Sequence, residues 1–294
     1  MKKPIFIAGP TGTGKTSVSV RITKKNRGEI ISVDSMQVYR GLDIGTAKPT
    51  KRELESVPHH LIDVVEPTEN FDASTFVEMA GEVAKRITTP IFCGGTGLYF
   101  KAWLEGLGQA PGGDIDLREK LEDIETEALL DELLEKDPDT HQVIDHKNRR
   151  RLVRAVEVIR LTGRPFSTQR ADWNREVPPN FFILQREPED LRQRIDRRVD
   201  QMFVDGLVEE TRSLLPALKS NRTAQQAIGY RQVIGHLRGE RDLRETVALV
   251  KSRTWQYARR QQTWFRKMTG AIRIEMAPDE SSATTTQRII DLLV

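Results

Sequence analysis

Short apolar runs alternate with amphipathic stretches in the first third of the chain, and each run stops at residues able to do chemistry. Pro4-Ile5-Phe6-Ile7-Ala8 leads into glycines and then a helical pattern from about Lys15 to Lys25. Ile30-Ile31-Ser32-Val33 ends at Asp34. Pro90-Ile91-Phe92-Cys93 runs into Gly94-Gly95-Thr96-Gly97 and an apolar helix start at Leu98-Tyr99-Phe100. Short apolar runs bounded by turn signals and separated by helices predict a parallel α/β sheet, whose ligands lie beyond the carboxyl ends of the strands. Asp34 and Thr96 both fall at such ends.

The pattern changes at Gly108-Gln109-Ala110-Pro111-Gly112-Gly113, and from there to about Asp172 it is helical and charged. Pro178-Pro179 closes this stretch, and Phe181-Phe182-Ile183-Leu184 reads as a strand rejoining the sheet. The rest is mostly helical, with a final strand at Ala271–Ile274. The chain therefore divides into an α/β core with C-terminal helices, 1–110 and 180–294, and an inserted all-helical domain, 111–179. It shows no internal repeat and no low-complexity segment.

The 294 residues suffice for a substantial core, and 37% apolar with 30% charged residues is ordinary for a soluble domain. No apolar stretch approaches the roughly 20 residues that cross a bilayer, so no membrane contact is expected. Met1-Lys2-Lys3 before an apolar run resembles a leader, but that run is too short and meets glycines and Lys15. Cys93 is the single cysteine, which excludes an internal disulfide and suits a reducing cytoplasm, and its bland reading is a buried structural thiol. The net charge of +3 conceals segregation. Residues 114–137 hold eleven acidic and three basic side chains, and 147–175 hold nine basic and two acidic ones, so a polyanion-binding face is expected.

Gly9-Pro10-Thr11-Gly12-Thr13-Gly14-Lys15-Thr16 fits G-x-x-x-x-G-K-[ST], with a strand before it and a helix after it. Backbone N–H groups and the helix N-terminus attract phosphate, Lys15 neutralises it, and the Thr16 hydroxyl can ligate Mg²⁺. The core is thus P-loop NTPase-like. The motif is shared with nucleotide-binding and ATP-binding proteins, but it reads phosphates and not the base. Asp34 has three readings: a contribution to the Mg²⁺ shell, a proton acceptor, or a turn cap. His59-His60 with Asp63 lacks a further ligand at metal spacing and reads as structural. Lys147, Arg149, Arg150, Arg151 and Arg154 form one basic cluster, and Arg192, Arg194, Arg197 and Arg198 another, suited to small-molecule phosphates or to tRNA. From about Glu245 to Lys267, Val247, Val250, Thr254, Tyr257, Ala258, Gln261, Trp264 and Phe265 share a mainly apolar helical face, with Arg253, Arg259, Arg260, Arg266 and Lys267 off it.

Longer motifs narrow this. Asp34-Ser35-Met36-Gln37-Val38-Tyr39-Arg40-Gly41-Leu42-Asp43-Ile44-Gly45-Thr46-Ala47-Lys48-Pro49 resembles the signature of the tRNA dimethylallyltransferase family, the bacterial tRNA isopentenyltransferases. His59–Asp63, Gly94–Tyr99, Arg151–Val158, Ile228–Arg231 and Tyr257–Arg266 resemble further blocks of that family, in family order. The resemblance implies transfer of a dimethylallyl group from its diphosphate to N6 of adenosine at tRNA position 37, next to the anticodon. It makes Asp34 the base and assigns Lys15, Thr96 and Arg198 to the diphosphate, with Mg²⁺ at Thr16. Ser35, Met36 and Gln37 beside Asp34 and Thr96 would meet the flipped adenosine, which must leave its stack to react. Arg118, Arg150, Arg151, Arg154, Gly229, Tyr230, Arg231, Arg259, Arg260 and Arg266 correspond to tRNA-contacting positions. The implied partners are the anticodon stem-loop and dimethylallyl diphosphate, and the protein is expected to act as a monomer. Trp255 stands where relatives often carry Arg, Asp72 where Ser is common, and Ile115 where Pro is frequent. Two rivals share parts of the pattern: a small-molecule or nucleoside kinase, and an RNA-binding NTPase switch.

Overall fold

A computed structural model describes residues 3–171 and 176–294. The leader-like Met1-Lys2 start and the expected helical limit at Asp172 lie outside these residues. Six strands form one sheet: β1 (Ile5–Ala8), β2 (Glu29–Val33), β3 (His59–His60), β4 (Pro90–Gly94), β5 (Phe181–Gln185) and β6 (Ile272–Glu275). Their order is β3-β2-β4-β1-β5-β6, and every pairing is parallel. The last strand lies one residue beyond its expected place. Parallel neighbours need crossovers, which is why each strand is followed by helical chain.

Alternation along β1 distributes side chains to two apolar layers. Ile5 and Ile7 join Val18 and Ile22 of the Lys15–Asn26 helix and Ile289 of the Ser282–Asp291 helix on one face. Phe6 points the other way, stacked on Phe92 at 5.0 Å and Phe181 at 5.4 Å between ring centroids. Phe100 packs edge-on to Phe181, and Phe265 of the Leu243–Arg266 helix packs edge-on to Phe100. Both faces are covered, so the strands read as continuous apolar runs. Among the described residues no helix is long and apolar enough to cross a membrane.

The chain separates into two compact units, Met1–Phe100 with Arg175–Val294, and Lys101–Asn174. The composition shift at Gly108–Gly113 lies inside the second unit, because Gly108 bridges to Arg170 and the Gln109 N–H donates to the Gln169 carbonyl at 2.8 Å. The core of the second unit is Leu121, Leu129, Leu133, Leu152, Val153, Ala155, Val156 and Ile159. Part of its acidic block consists of helix caps. Asp114 accepts from the Leu117 N–H at 2.8 Å, and buried Asp137 accepts from the N–H groups of Thr140 and Ser167. Asp72, a departure from the family pattern, caps the Ala73–Arg86 helix through the Ser74 and Thr75 N–H groups.

Cys93 is only half-buried, against Val20, Ile30 and Val57, and burial pushes its thiol up. His59 and His60 form the short edge strand, where His60 Nε2 meets Glu29 at 2.6 Å and His59 Nδ1 meets the Val57 carbonyl.

Phe6 holds the central strand to the aromatic layer and is almost fully buried. Replacing it with Ala should lower the unfolding free energy by about 3–5 kcal/mol, read from urea melts.

Candidate active site

Register brings the site together. Gly94 at the end of β4 is level with Ala8 of β1 on one side and Val33 of β2 on the other. The next residues are therefore neighbours: the phosphate loop from Gly9, the Gly95-Thr96 turn, and Asp34. The Thr96 N–H donates to the Val33 carbonyl at 3.1 Å, and Thr96 Oγ1 accepts from the Ser35 N–H at 3.2 Å.

The loop is held from inside and from two helices. Gly14, with φ of 96°, turns the chain into the Lys15–Asn26 helix. Thr13 Oγ1 and Lys15 Nζ both donate to the Pro10 carbonyl, at 2.9 and 2.8 Å. From the Pro188–Val204 helix, Arg194 Nε donates to the Gly12 carbonyl and Arg198 donates to Thr11 Oγ1, each at 3.1 Å. Spacing of four residues places both guanidinium groups on one face of that helix. Arg186, just after β5, donates to the Thr13 carbonyl at 3.1 Å and pairs with Asp190. From the Leu243–Arg266 helix, Gln261 Oε1 accepts from the Thr11 N–H at 2.9 Å.

Burial sets the charges. It lowers the Lys15 ammonium to about 8, with Cys93 opposing, Arg198 adding, and Asp34 also opposing. Burial raises the Asp34 carboxyl above its ordinary value, although Asp34 Oδ1 accepts from the Met36 N–H at 2.8 Å and the Gln37 N–H at 3.2 Å. Such a carboxylate is a better base than an exposed one. Arg198 is lowered by burial and by Arg194. Tyr257 is raised by burial and by the Asp34 charge, while bonds to Thr96 and Gln261 oppose this.

The signature segment beyond Asp34 is anchored by an anion. The N–H groups of Asp43, Ile44 and Gly45 converge on the Glu210 carboxylate at 2.9 to 3.3 Å. Tyr230 donates to the same carboxylate at 2.5 Å and accepts from the Gly45 N–H at 3.1 Å. Burial, with Glu210 beside it, raises the Tyr230 hydroxyl. Buried Lys48 ties Asp43 to Asp63 and donates to the Tyr39 carbonyl at 2.7 Å. Gln37 accepts from Ser32 Oγ and donates to the carbonyls of Thr46 and Ala47. Its amide therefore holds the loop.

The remaining basic positions fall into two kinds. Arg118 and Arg154 both pair with the fully buried Glu157, at 2.8 and 2.5 Å. Arg149 donates to Thr126 and to the carbonyls of Leu121, Glu122 and Ile124. Arg150, Arg151, Arg231, Arg259, Arg260 and Arg266 are exposed, as is Arg118 despite its pairing. Gly229 and Tyr230 are buried, so the Tyr230 ring faces the Asp43–Gly45 loop and not solvent. Trp255 carries Arg192 over its ring at 5.7 Å.

Sequence reasoning did not single out Gln261, Tyr257 or Arg186 as site residues, and it left Arg194 undivided from its cluster. A signal existed for Gln261 alone, as a polar residue on a mainly apolar helical face. For a metal, Thr16 offers a half-buried hydroxyl where the phosphates of a ligand would lie. Among the described residues no group of three or more His, Cys, Asp or Glu side chains could hold an ion. A hard cation taking most of its oxygens from diphosphate and water fits that donor set.

Comparison with known proteins agrees with this geometry. A profile of the family described as IPP transferase matches residues 37–268, and one described as Isopentenyl transferase matches residues 3–69. The chain belongs to the tRNA dimethylallyltransferase family. It is 42% identical to tRNA dimethylallyltransferase 1 of Citrifermentans bemidjiense, over 99% of this chain and 97% of that one. The full-length tRNA isopentenylpyrophosphate transferase of Bacillus halodurans superimposes with a TM-score of 0.72 at 37% identity, covering 99% of this chain and 96% of that one. A eukaryotic dimethylallyltransferase solved acting on tRNA gives 0.78 at 26% identity, covering 98% of this chain and 78% of that one. Membership makes the chain a transferase of prenyl groups to tRNA, and the P-loop-like parallel sheet is the fold of its structural relatives.

Replacing Glu210 with Ala leaves the Asp43 and Ile44 N–H groups without an acceptor and the Gly45 N–H with the Tyr230 hydroxyl alone. Stability should fall by about 1–3 kcal/mol, and amide exchange at Ile44 and Gly45 should quicken while Ile31 stays protected.

Proposed function

We propose that the chain transfers a dimethylallyl group from dimethylallyl diphosphate to N6 of the adenosine at position 37 of tRNA, next to the anticodon, releasing diphosphate. The observation that carries this reading is a phosphate loop braced by three arginines beside a carboxylate of raised affinity for protons. A P-loop kinase would also hold phosphates, but the Asp34–Pro49 block and the family match favour prenyl transfer.

The amine nitrogen forms a bond to the allylic C1 as the bond from C1 to the diphosphate oxygen breaks, and its electron pair leaves with diphosphate. Asp34 takes the proton released from the amine. Positive charge grows on the allyl group and negative charge on the leaving oxygens, so fixed cations at the latter lower the barrier. Lys15, Arg198 and the N–H groups of Gly12 to Thr16 fill that role, and Thr96 completes the cradle. Mg²⁺ at Thr16 would add charge neutralisation of the diphosphate. Ser35, Met36 and the backbone around Gln37 meet the extruded base. Exposed Arg259, Arg260 and Arg266 bind tRNA phosphates from the core, and Arg150 and Arg151 do so from the helical unit. Arg118 and Arg154 shape that surface through Glu157, and Arg231 with the Gly229 turn adds a further contact.

Incubation with labelled dimethylallyl diphosphate, ATP and unmodified tRNA tests the reading: label should enter tRNA. A phosphorylated small molecule would instead mark a kinase, and slow ATP hydrolysis alone a switch. Asp34→Asn keeps the Oδ1 acceptor but not the base, and should slow transfer by about 10²- to 10⁴-fold. Because ionised Asp34 is disfavoured by burial, its folded-state proton affinity exceeds that of the unfolded chain. At neutral pH the variant should then melt no lower than the wild type. Wild-type kcat/KM should fall on acidification through an apparent pKa above that of an ordinary Asp.

Lys15 supplies a second pH signature. Its charge is lost as pH rises through about 8, so affinity for inorganic pyrophosphate should decline there. Lys15→Arg, which stays charged, separates this from the titration of pyrophosphate itself: the alkaline decline should be shallower in the variant, by calorimetry.

A further inference from the structure

We propose that Gln261 is a positioning residue for the transfer, fixing the gap between the phosphate loop and the Gly95-Thr96 turn and thereby between the leaving group and Asp34. The inference rests on the function proposed above and adds to it a residue that touches no substrate.

Gln261 is buried and uses both ends of its amide. Oε1 accepts from the Thr11 N–H at 2.9 Å, and Nε2 donates to the Gly95 carbonyl at 2.9 Å. Those two backbone groups lie beyond the ends of the adjacent strands β1 and β4, on the two sides of the site. A carboxamide supplies a donor and an acceptor from one rigid fork without a charge, and neither Met nor Glu can do both. Removing it leaves one donor and one acceptor unpaired and takes away the direct bridge between them.

The glycine turn is built around this amide. A Cβ at Gly95 would lie 2.2 Å from Gln261 Nε2, and one at Gly97 would lie 3.1 Å from the Trp264 ring. Positions 261 and 264 are three apart on the same helix and therefore share a face. Tyr257, one turn earlier, lies on the same face, and Thr96 and Gln261 oppose the upward shift of its hydroxyl. The helix that presents Arg259 and Arg260 to solvent thus grips both sides of the diphosphate site with its inner face.

The test compares wild type with Gln261→Met, Gln261→Ala, Gly95→Ala and the Gln261→Ala/Gly95→Ala double variant, using labelled dimethylallyl diphosphate and unmodified tRNA. Wild type without label transfer would defeat the proposed function itself, apart from the role of Gln261. With active wild type, Gln261→Met should fold cooperatively and lose about 10- to 100-fold in kcat. Its Kd values for tRNA and for inorganic pyrophosphate should stay within about threefold. Gly95→Ala should lose a comparable factor alone, yet add less than about twofold in the Gln261→Ala background, where its Cβ has room. Unchanged kcat in a folded Gln261→Met, a loss wholly accounted for by tRNA Kd, or additive losses in the double variant would each overturn the proposal.

Discussion

Three neighbouring parallel strands that end at one level impose the whole arrangement. Because β2, β4 and β1 pair in register at Val33, Gly94 and Ala8, whatever follows each strand is delivered to a common ledge. A register shift of one residue would turn Asp34 or Thr96 away from the loop. The two apolar layers exist to keep that register: aliphatic side chains on one face, stacked phenylalanines on the other. Chemistry is concentrated where side chains no longer need to serve either layer.

Several charges are engaged within the protein. Glu210 orders the Asp43–Gly45 amides and Lys48 binds two carboxylates. In the helical unit Glu157, buried and twice paired, aligns Arg118 and Arg154. Arg150, Arg259 and Arg266 are among the many cations left at the surface.

Local signals made the phosphate loop, Asp34 and Thr96 legible, since each combines a strand end with a residue type suited to its task. The long helix was legible from its apolar face, while its Asp242–Glu245 capping box starts it two residues before the expected Glu245. What could not be read were partnerships across sequence. Arg149 and Arg150 are adjacent and identical in type, yet one ties down three carbonyls and the other faces solvent. Tyr230 and Gln37 lie in family blocks that suggest contact with RNA, while their side chains brace the loop beyond Asp34. The expected boundary at Gly108 marked a change of composition, and a backbone bridge to Arg170 assigns that stretch to the helical unit.

In the reaction proposed above, the opposite shifts of Lys15 and Asp34 carry a consequence for the cycle. Protons and diphosphate are linked ligands, each altering the affinity for the other by the same factor. A dianion held in the loop favours the charged ammonium and disfavours the charged carboxylate. Loading the site therefore strengthens the base just before it is needed. When diphosphate departs, that strengthening goes with it, which favours release of the captured proton without another residue.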